Sequence, residues 1–400
     1  MIKKHTGAWA TIQKTDEFLD NAGAQKVYAL GLTSFGITED SQMEAPNLLR
    51  ASREAVKGVR GLSSFAGAAG FPLTAYGAGL WAYITLGKPN TAVANHSADA
   101  WAATMLIDTG DVVNHSDGIH GLTALKGGTT GATEPDLSAF TGDFGGDGNI
   151  ITDETVEWMI VPLLGQNRFK VQNCVPPFIL EVADSATCDV APDTEYEKYF
   201  GTRIQTASVS LASGSVFATG EPTVVANSMQ HSAKVIKDGG TYAPLATMPN
   251  TTNVYTIPDN LYGVGEADLY INNVLTAGKV IDFAINVNNN ISTVNTIGRD
   301  NKSINFAGNI GVEINFKAIY DKDDFIAAYE DLESSAKIVL RKPNGCSMTI
   351  EIANFTMAKP SKTRSNAEPI TVSYRGMAYA DNDKSTIEIE VVAPKVLLDI

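Results

Sequence analysis

The stretch Ser303-Ile304-Asn305-Phe306-Ala307-Gly308-Asn309-Ile310-Gly311-Val312-Glu313-Ile314-Asn315-Phe316-Lys317 decides the fold class. Ile304, Phe306, Ile310, Val312, Ile314 and Phe316 occupy even positions, and the polar residues occupy odd ones. A period of two over this length predicts a long strand with one buried face. Asp321-Lys322-Asp323-Asp324 follows and starts a predicted helix with Phe325, Ile326, Tyr329 and Leu332 on one face. The acidic first turn suits the helix dipole. Strands are then predicted at 337–340, 348–352, 370–374 and 387–391.

Working toward the N-terminus, strands are predicted at 27–32, 62–75, 158–164, 178–182 and 204–211. A helix is predicted over 77–86, stopped by Gly87 before Lys88-Pro89. Residues 37–60 carry charges of both signs and read as a long loop. Residues 90–155 are rich in Gly, Thr, Asp and Asn, with only a short helix expected around 98–107. The fold class is therefore mainly β, built of sandwich or barrel domains with one short helix each. The expected division is an arm at 1–26, a first domain formed by 27–90 and 156–215, and an outward insertion at 91–155. A linker at 216–262 and a second domain at 263–400 complete it. The repeated order of strands, helix and strands suggests two related domains; the alternative is one composite β-domain with an insertion.

The 400 residues hold 44% hydrophobic side chains, enough for a sizeable core. The formal net charge is −15. That excess of carboxylates disfavours gripping nucleic acid, which needs surplus cations, and it repels anionic lipid. Cys174, Cys188 and Cys346 are too scattered for a disulfide framework or a thiolate zinc site. They read as inert thiols of a reducing compartment. The first residues lack the apolar run of a signal peptide. The uncharged run from Gly61 to Leu86 reads as buried strand, turn and helix rather than a membrane span, because glycine and proline punctuate it.

No phosphate-binding, dinucleotide-binding, nucleophile-elbow or zincin signature is present, so no catalytic or cofactor-binding residues are assigned. Asp108, Asp111, His115, Asp117 and His120 are dense enough to ligate a divalent cation, but no pair has helical spacing. The segment Asp143 to Glu154 fits part of a twelve-residue calcium loop. Asp143, Asp147, Asn149 and Glu154 are its candidate ligands and Gly148 sits at the sharp turn, while Gly145 stands where a further ligand is expected. A glycine-rich acidic turn explains the same residues. His5, His96 and His231 are isolated, and Trp81 and Trp158 read as core.

Three stretches resemble the tail tube (major tail) proteins of long-tailed bacteriophages. The first holds Gly36-Ile37-Thr38-Glu39-Asp40, Glu44-Ala45-Pro46-Asn47-Leu48-Leu49-Arg50 and Gly58-Val59-Arg60-Gly61, then a helix ending in Leu86-Gly87. The second is Tyr199-Phe200-Gly201-Thr202-Arg203-Ile204 leading to Val209-Ser210-Leu211. The third runs from Phe283 through Asn288-Asn289-Asn290 and Ile297-Gly298-Arg299 to the alternating strand. The resemblance covers 27–90 and 195–395. It implies a structural virion protein of stacked rings that forms an acidic channel for DNA during ejection. It also implies trimeric pseudo-sixfold or hexameric rings, tape measure and tail terminator or tip partners, and assembly in the host cytoplasm. Two other classes compete: a different virion or cell-surface sandwich, such as an adhesin or glycan-binding module, and a metal-assisted hydrolase using residues 108–120.

Overall fold

The computed structural model describes residues 8–14, 25–44, 59–90, 94–95, 99–117, 120–137, 150–185, 194–212, 217–245, 251–257, 260–276, 280–295, 303–319, 334–358, 361–363, 369–381 and 384–398. The predicted helix at 321–332 lies outside them. The chain opens with β1 (Ala8–Lys14), β2 (Gln25–Gly31), β3 (Ser34–Glu44) and β4 (Val59–Pro72), then α1 (Ala78–Leu86). Every residue of α1 is buried, and Gly87 ends it by donating its N–H to the Tyr83 carbonyl. The insertion holds β5 (Ala94–Asn95), β6 (Asp99–Ala100), β7 (Leu106–Ile107), β8 (Val112–Asn114), β9 (His120–Lys126), β10 (Gly128–Thr129), β11 (Ile150–Asp153) and β12 (Val156–Pro162). Next come β13 (Leu164–Lys170), β14 (Phe178–Ser185), the nineteen-residue β15 (Thr194–Ala212), β16 (Thr219–Gly220), β17 (Thr223–Ala226), β18 (Ser228–His231), α2 (Ser232–Lys237) and β19 (Thr251–Thr256). The last third holds β20 (Ala267–Ile271), β21 (Val274–Leu275), β22 (Val280–Asn288), β23 (Ser292–Asn295), β24 (Ser303–Phe306), β25 (Gly311–Ile319), β26 (Ser334–Arg341), β27 (Ser347–Met357), β28 (Ser361–Thr363), β29 (Thr371–Ala378) and β30 (Glu388–Pro394).

Several expectations need correction. Part of the supposed N-terminal arm is β1, which lies in the sheet between β2 and β14. The charged stretch after Ile37 is not a loop where it is described. Phe35 and Ile37 turn toward the core while Gly36, Thr38 and Asp40 face out, so β3 pairs with β4 along its length. Residues 45–58 lie outside the described set. The supposed linker is woven into the fold. β17 joins β4 to β15, β18 pairs with β15, and β19 runs parallel to β2.

The long alternating strand is broken after Phe306. The amide of Gly308 donates to the Asn289 carbonyl, and Asn290 Nδ2 donates to the Asn309 carbonyl. The parity reverses across that break. In β25 the even residues Val312, Ile314 and Phe316 are buried as predicted, but in β24 Asn305 is buried and Phe306 is exposed.

The helix expected around 98–107 is replaced by β6, a turn and β7. Its polar groups are satisfied by another segment: Thr104 N donates to the Gly131 carbonyl, Met105 N donates to Thr130 Oγ1, and Thr130 Oγ1 donates to the Ala102 carbonyl. The insertion is a small β-unit with a five-stranded sheet, β11-β12-β9-β8-β6. Its separate core is Ile107, Val113, Leu122, Ala124, Leu137, Val156, Trp158 and Ile160. The predicted strand 158–164 is therefore split. β12 completes this sheet, and β13 returns to the main one.

No gap in the core follows the expected boundary at 216–262. One apolar cluster runs from Ile12 to Leu398, and ladders β13–β30 and β15–β22 join the two halves. Its buried titratable groups make stability fall in alkali. Burial pushes the Cys346 thiol from 9.0 up to about 12 and the Tyr76 hydroxyl from 10.0 up to about 12; Tyr262 is raised as well. Below pH 9 both states hold these protons. Between pH 9 and 12 the unfolded chain releases them while the folded chain keeps them, so unfolding becomes easier by up to about 1.4 kcal/mol per pH unit per group. Urea titrations at pH 8 and pH 11 should show this loss, and Cys346→Ala should reduce it. An unchanged difference in that variant would refute the thiol's share.

Candidate functional site

β15 positions the site by crossing between two sheets. Its first part pairs with β14 and β18, and its second part pairs with β16 and β17 on one edge and β22 on the other. The crossing falls at Gly201, whose φ of +59° L side chains rarely adopt. A Cβ there would meet Asn227 Nδ2 at 2.2 Å. Beyond the crossing, eight positions lie side by side: β3, β4, the pair β16 and β17, β15, β22, β25, β29 and β28. All neighbours are antiparallel, and among the described residues β3 pairs only with β4 and β28 only with β29.

The two faces of this run differ in chemistry. Leu211, Phe283, Phe316 and Tyr374 are cross-strand neighbours on the buried face. The Phe316 and Tyr374 rings stack at 4.6 Å between centroids. The opposite face carries Ser34, Thr38, Ala66, Ala68, Thr206, Ser208, Ser210, Ala284, Asn286, Asn315 and Ser373, all half-buried or exposed. Thr206 and Thr223 share a hydroxyl hydrogen bond of 2.5 Å across it. Charged residues that register puts on this face include Asp40, Glu221, Asp282, Glu313, Lys317 and Arg375. Arg375 binds Glu313 at 2.6 Å, and this bond, helped by Asn315, holds the Glu313 carboxyl below its usual range. The small side chains leave a trough of about 470 Å³ between Asp282, Lys317 and Arg375, floored by Ser210, Ala212, Ala284 and Ser373. This face of the antiparallel run is rich in hydroxyls and amides and poor in cations.

Of the candidate metal residues, His115, Asp117 and His120 come together, while Asp108 and Asp111 bond to each other in another turn. Asp108 and Asp111 close a turn before β8, with the Asp108 amide donating to Asp111 Oδ2. His115, Asp117 and His120 lie after β8, where Asp117 Oδ2 stands 3.2 Å from His115 Nδ1 and 2.7 Å from His120 Nδ1. His115 Nε2 lies 2.9 Å from the Pro135 carbonyl. Among the described residues no group of three or more His, Cys, Asp or Glu could hold a metal ion. Of the calcium-loop candidates, Asp143, Asp147 and Asn149 lie outside the described residues. Glu154 sits exposed at the β11–β12 turn with φ +55°. Its neighbour Asp153 is buried and accepts hydrogen bonds from Trp101 Nε1, Trp158 Nε1 and the Gly131 amide, so its oxygens are used structurally. His231 caps α2 by accepting from the Ala233 amide, while His5, His96 and Cys188 lie outside the described residues. Trp81 and Trp158 are buried.

A buried ionic clasp escaped the sequence reading. Glu181 in β14 and Lys198 in β15 are 3.5 Å apart, with side chains 2% and 3% exposed. Glu181 accepts from the Tyr242 hydroxyl at 2.7 Å and from the Leu245 amide at 3.0 Å, and Lys198 donates to the Ala243 carbonyl at 2.9 Å. The signal was there: Glu181 is a lone charge in Phe178-Ile179-Leu180-Glu181-Val182.

Among the described residues no helix is long and apolar enough to cross a membrane. A search of curated proteins finds no match. The model of one family, described as phage tail tube protein, matches residues 6–390, nearly the whole chain. With an open-edged β-architecture and a family match of this extent, the chain belongs to the phage tail tube proteins.

Proposed function

We propose that the chain closes rings by pairing β3 of one copy with β28 of the next, and that stacked rings form a channel lined by the polar face of the eight-position sheet. As a tail tube protein the chain is a structural component of the phage virion tail, not an enzyme. The observation that carries the finer reading is an antiparallel run with an unpaired strand at each end among the described residues and one polar face. Unpaired edges are templates for another chain, and joining unlike edges by rotation generates a closed ring. The net charge of −15 supports passage of DNA without specific binding. Tape measure, tail terminator and tip proteins are the proposed partners at the bore and ends of such a tube.

Three chains per ring, with a pseudo-sixfold plan, suit the sheet best. β3 and β4 form a long hairpin followed by α1. β22 and β25 form a second long pair followed by the segment whose sequence predicts a helix. Each chain thus supplies two similar halves of one wall, joined by the β15–β22 ladder. Native mass spectrometry or a reconstruction of assembled material tests the number. Six chains per ring would overturn the two-halves reading and leave the tube reading standing.

The insertion, with its separate core, belongs on the outside. A globular unit repeated around a ring would obstruct a channel that must admit a duplex. Limited proteolysis of assembled tubes is expected to cut first within residues 120–150 and leave tubes intact. Protection of that segment until the tubes dissociate would place it between subunits or in the bore.

A further inference from the structure

The two end strands of the eight-position sheet carry opposite charge. β3 holds Glu39, Asp40 and Glu44 and no lysine or arginine. β28 is Ser361-Lys362-Thr363, and from Met357 to Ala367 the sequence has Lys359, Lys362 and Arg364 and no carboxylate. Glu39 and Asp40 are exposed, as is every residue of β28. Charge on an edge strand guards against chance pairing, a purpose that either sign serves. Opposite signs on the two edges also choose a partner. Acid would face acid if β3 met β3, base would face base if β28 met β28, and like charges directly opposite are destabilising. The unlike edges attract, and joining unlike edges is what closes a ring.

The faces agree as well. Lys362 stands opposite Val372 and Glu39 opposite Phe65, both buried, so the two charges lie on the side of the sheet that holds the core. Ser361, opposite Ser373, and Asp40, opposite Ser64, lie on the polar face. Eight positions that alternate in direction also make the joint to the next copy antiparallel, like the others in the run.

Register selects which residues meet. One level of the sheet runs from Ser34 through Ser208, Asn286 and Glu313 to Met377. Ser373, the partner of Ser361, precedes Met377 by four residues, so Ser361 lies four residues below the level of Ser34, and Asp40 lies six above it. Strands that close into a barrel tilt by roughly 35–45°. Across eight positions about 4.8 Å apart, this tilt staggers the joint by about 27–38 Å, or roughly eight to twelve residues at about 3.3 Å each. The offset between Ser361 and Asp40 falls in the middle of that range. A stagger in the other sense would carry Ser361 past the start of β3 and leave it no strand to pair with.

We propose that β28 of one copy pairs with β3 of the next with Ser361 opposite Asp40 and Lys362 opposite Glu39, an ion pair that selects the joint. The Ser361 hydroxyl donates to the Asp40 carboxylate on the polar face, and the Lys362 ammonium donates to Glu39 on the other. Glu39 already accepts from Ser63 Oγ at 2.5 Å, and an ionised carboxylate takes several such bonds. This joint rests on the ring reading above and gives it a register and a means of selection.

Charge swaps in the full-length chain test the pair. Lys362→Glu should weaken ring closure by about fivefold per joint, because an attractive cross-strand pair becomes a repulsive one. Glu39→Lys should do the same, and the double variant should recover rings. Sedimentation and negative-stain microscopy read the assemblies, and thermal melting of the unassembled chain checks folding. Folded single variants that close rings as well as the unmodified chain would overturn the proposal, as would a folded double variant no better than the singles. The register has a separate readout. Asp40→Cys with Ser361→Cys, oxidised after assembly, should link neighbouring copies, since opposite residues stand about 4.5–5.5 Å apart between Cα atoms, within disulfide reach. Gly36→Cys with Ser361→Cys, four residues out of step, should not. No link from the first pair in rings that do form, or an equal link from the second, would overturn the register. Should the charge variants fail to fold, the cysteine pairs decide alone. If the unmodified chain forms no rings, the tube reading itself fails; if it forms them while the swaps and links fail, that reading stands and this joint does not.

Discussion

Glu181→Ala should lower the unfolding free energy by about 3–5 kcal/mol, the range for stranding one partner of a buried ion pair. The substitution leaves the Lys198 ammonium buried and removes the acceptor for the Tyr242 hydroxyl and the Leu245 amide. Lys198 still has the Ala243 carbonyl and the Tyr242 ring face, 4.8 Å from Nζ to the centroid, but no longer the carboxylate. Tyr196, stacked on Tyr242 at 5.6 Å, loses a support as well. The pair Arg168 and Glu390 is shorter, at 2.6 Å against 3.5 Å, but the arginine is 54% exposed. Glu390→Ala should therefore cost no more than about 1 kcal/mol. Urea titrations at pH 7 compare the two, with equal slopes showing that the denatured states are alike. A Glu181→Ala loss below that of Glu390→Ala would mean that water reaches the clasp and that segment 242–245 is not held by it.

That clasp shows where sequence reading stops. A lone carboxylate inside an apolar strand marks Glu181 as special, but nothing local pairs it with Lys198, which stands among Glu195, Glu197 and Tyr199. Elements dictated by local pattern were legible: β2, α1, β14, β26 and β30 lie where periodicity and the Gly87 stop place them. The family was legible too, through the order of short motifs. What failed depended on partners distant in the chain. The pairing of β13 with β30 joins residues more than two hundred apart, so the two halves share a core that no local boundary signal reveals. The insertion looked patternless because several of its strands are two or three residues long and its core is small. In β24 the apolar residues kept their period but reversed their face. Alternation tells which residues share a face, not whether that face meets the core.

The polar face could not be assigned from the sequence. Ser208, Val209, Ser210 and Leu211 alternate, and Asn286 and Asn288 repeat the pattern in β22, but alternation alone does not say which face lies where. The described part of this face carries charges of both signs, Asp40, Glu221, Asp282 and Glu313 against Lys317 and Arg375 among them.

Gly67→Val should abolish rings while leaving the main core folded. A Cβ at Gly67 would lie 2.1 Å from the Gly36 carbonyl oxygen and 2.7 Å from Ile37 Cα. Those are backbone atoms of β3, so no side-chain rotation relieves the clash. β3 must lift away from β4 around the pair Ile37 and Gly67. Overpacking of this kind costs about 1–3 kcal/mol, and β3 can absorb it because it is an edge held only by β4 among the described residues. The rest of the sheet keeps β4 through β16 and β17, so a cooperative melting transition should survive with a modest downward shift. Ring closure has no such margin. If β3 supplies the edge for the next copy, a strand lifted by even one or two ångströms breaks the backbone hydrogen bonds that must form across the joint. Gly36→Ala is the control from the opposite strand, at the residue whose carbonyl takes that clash. Nothing lies within 4 Å of a Cβ there, so the variant should fold and assemble as the unmodified chain does. Size-exclusion chromatography with microscopy separates rings from single chains in both variants. Rings of ordinary size from a folded Gly67→Val protein would move the ring joint away from β3. Loss of rings in Gly36→Ala as well would point to the solvent face of β3, rather than its hydrogen-bonding edge, as the contact between neighbours.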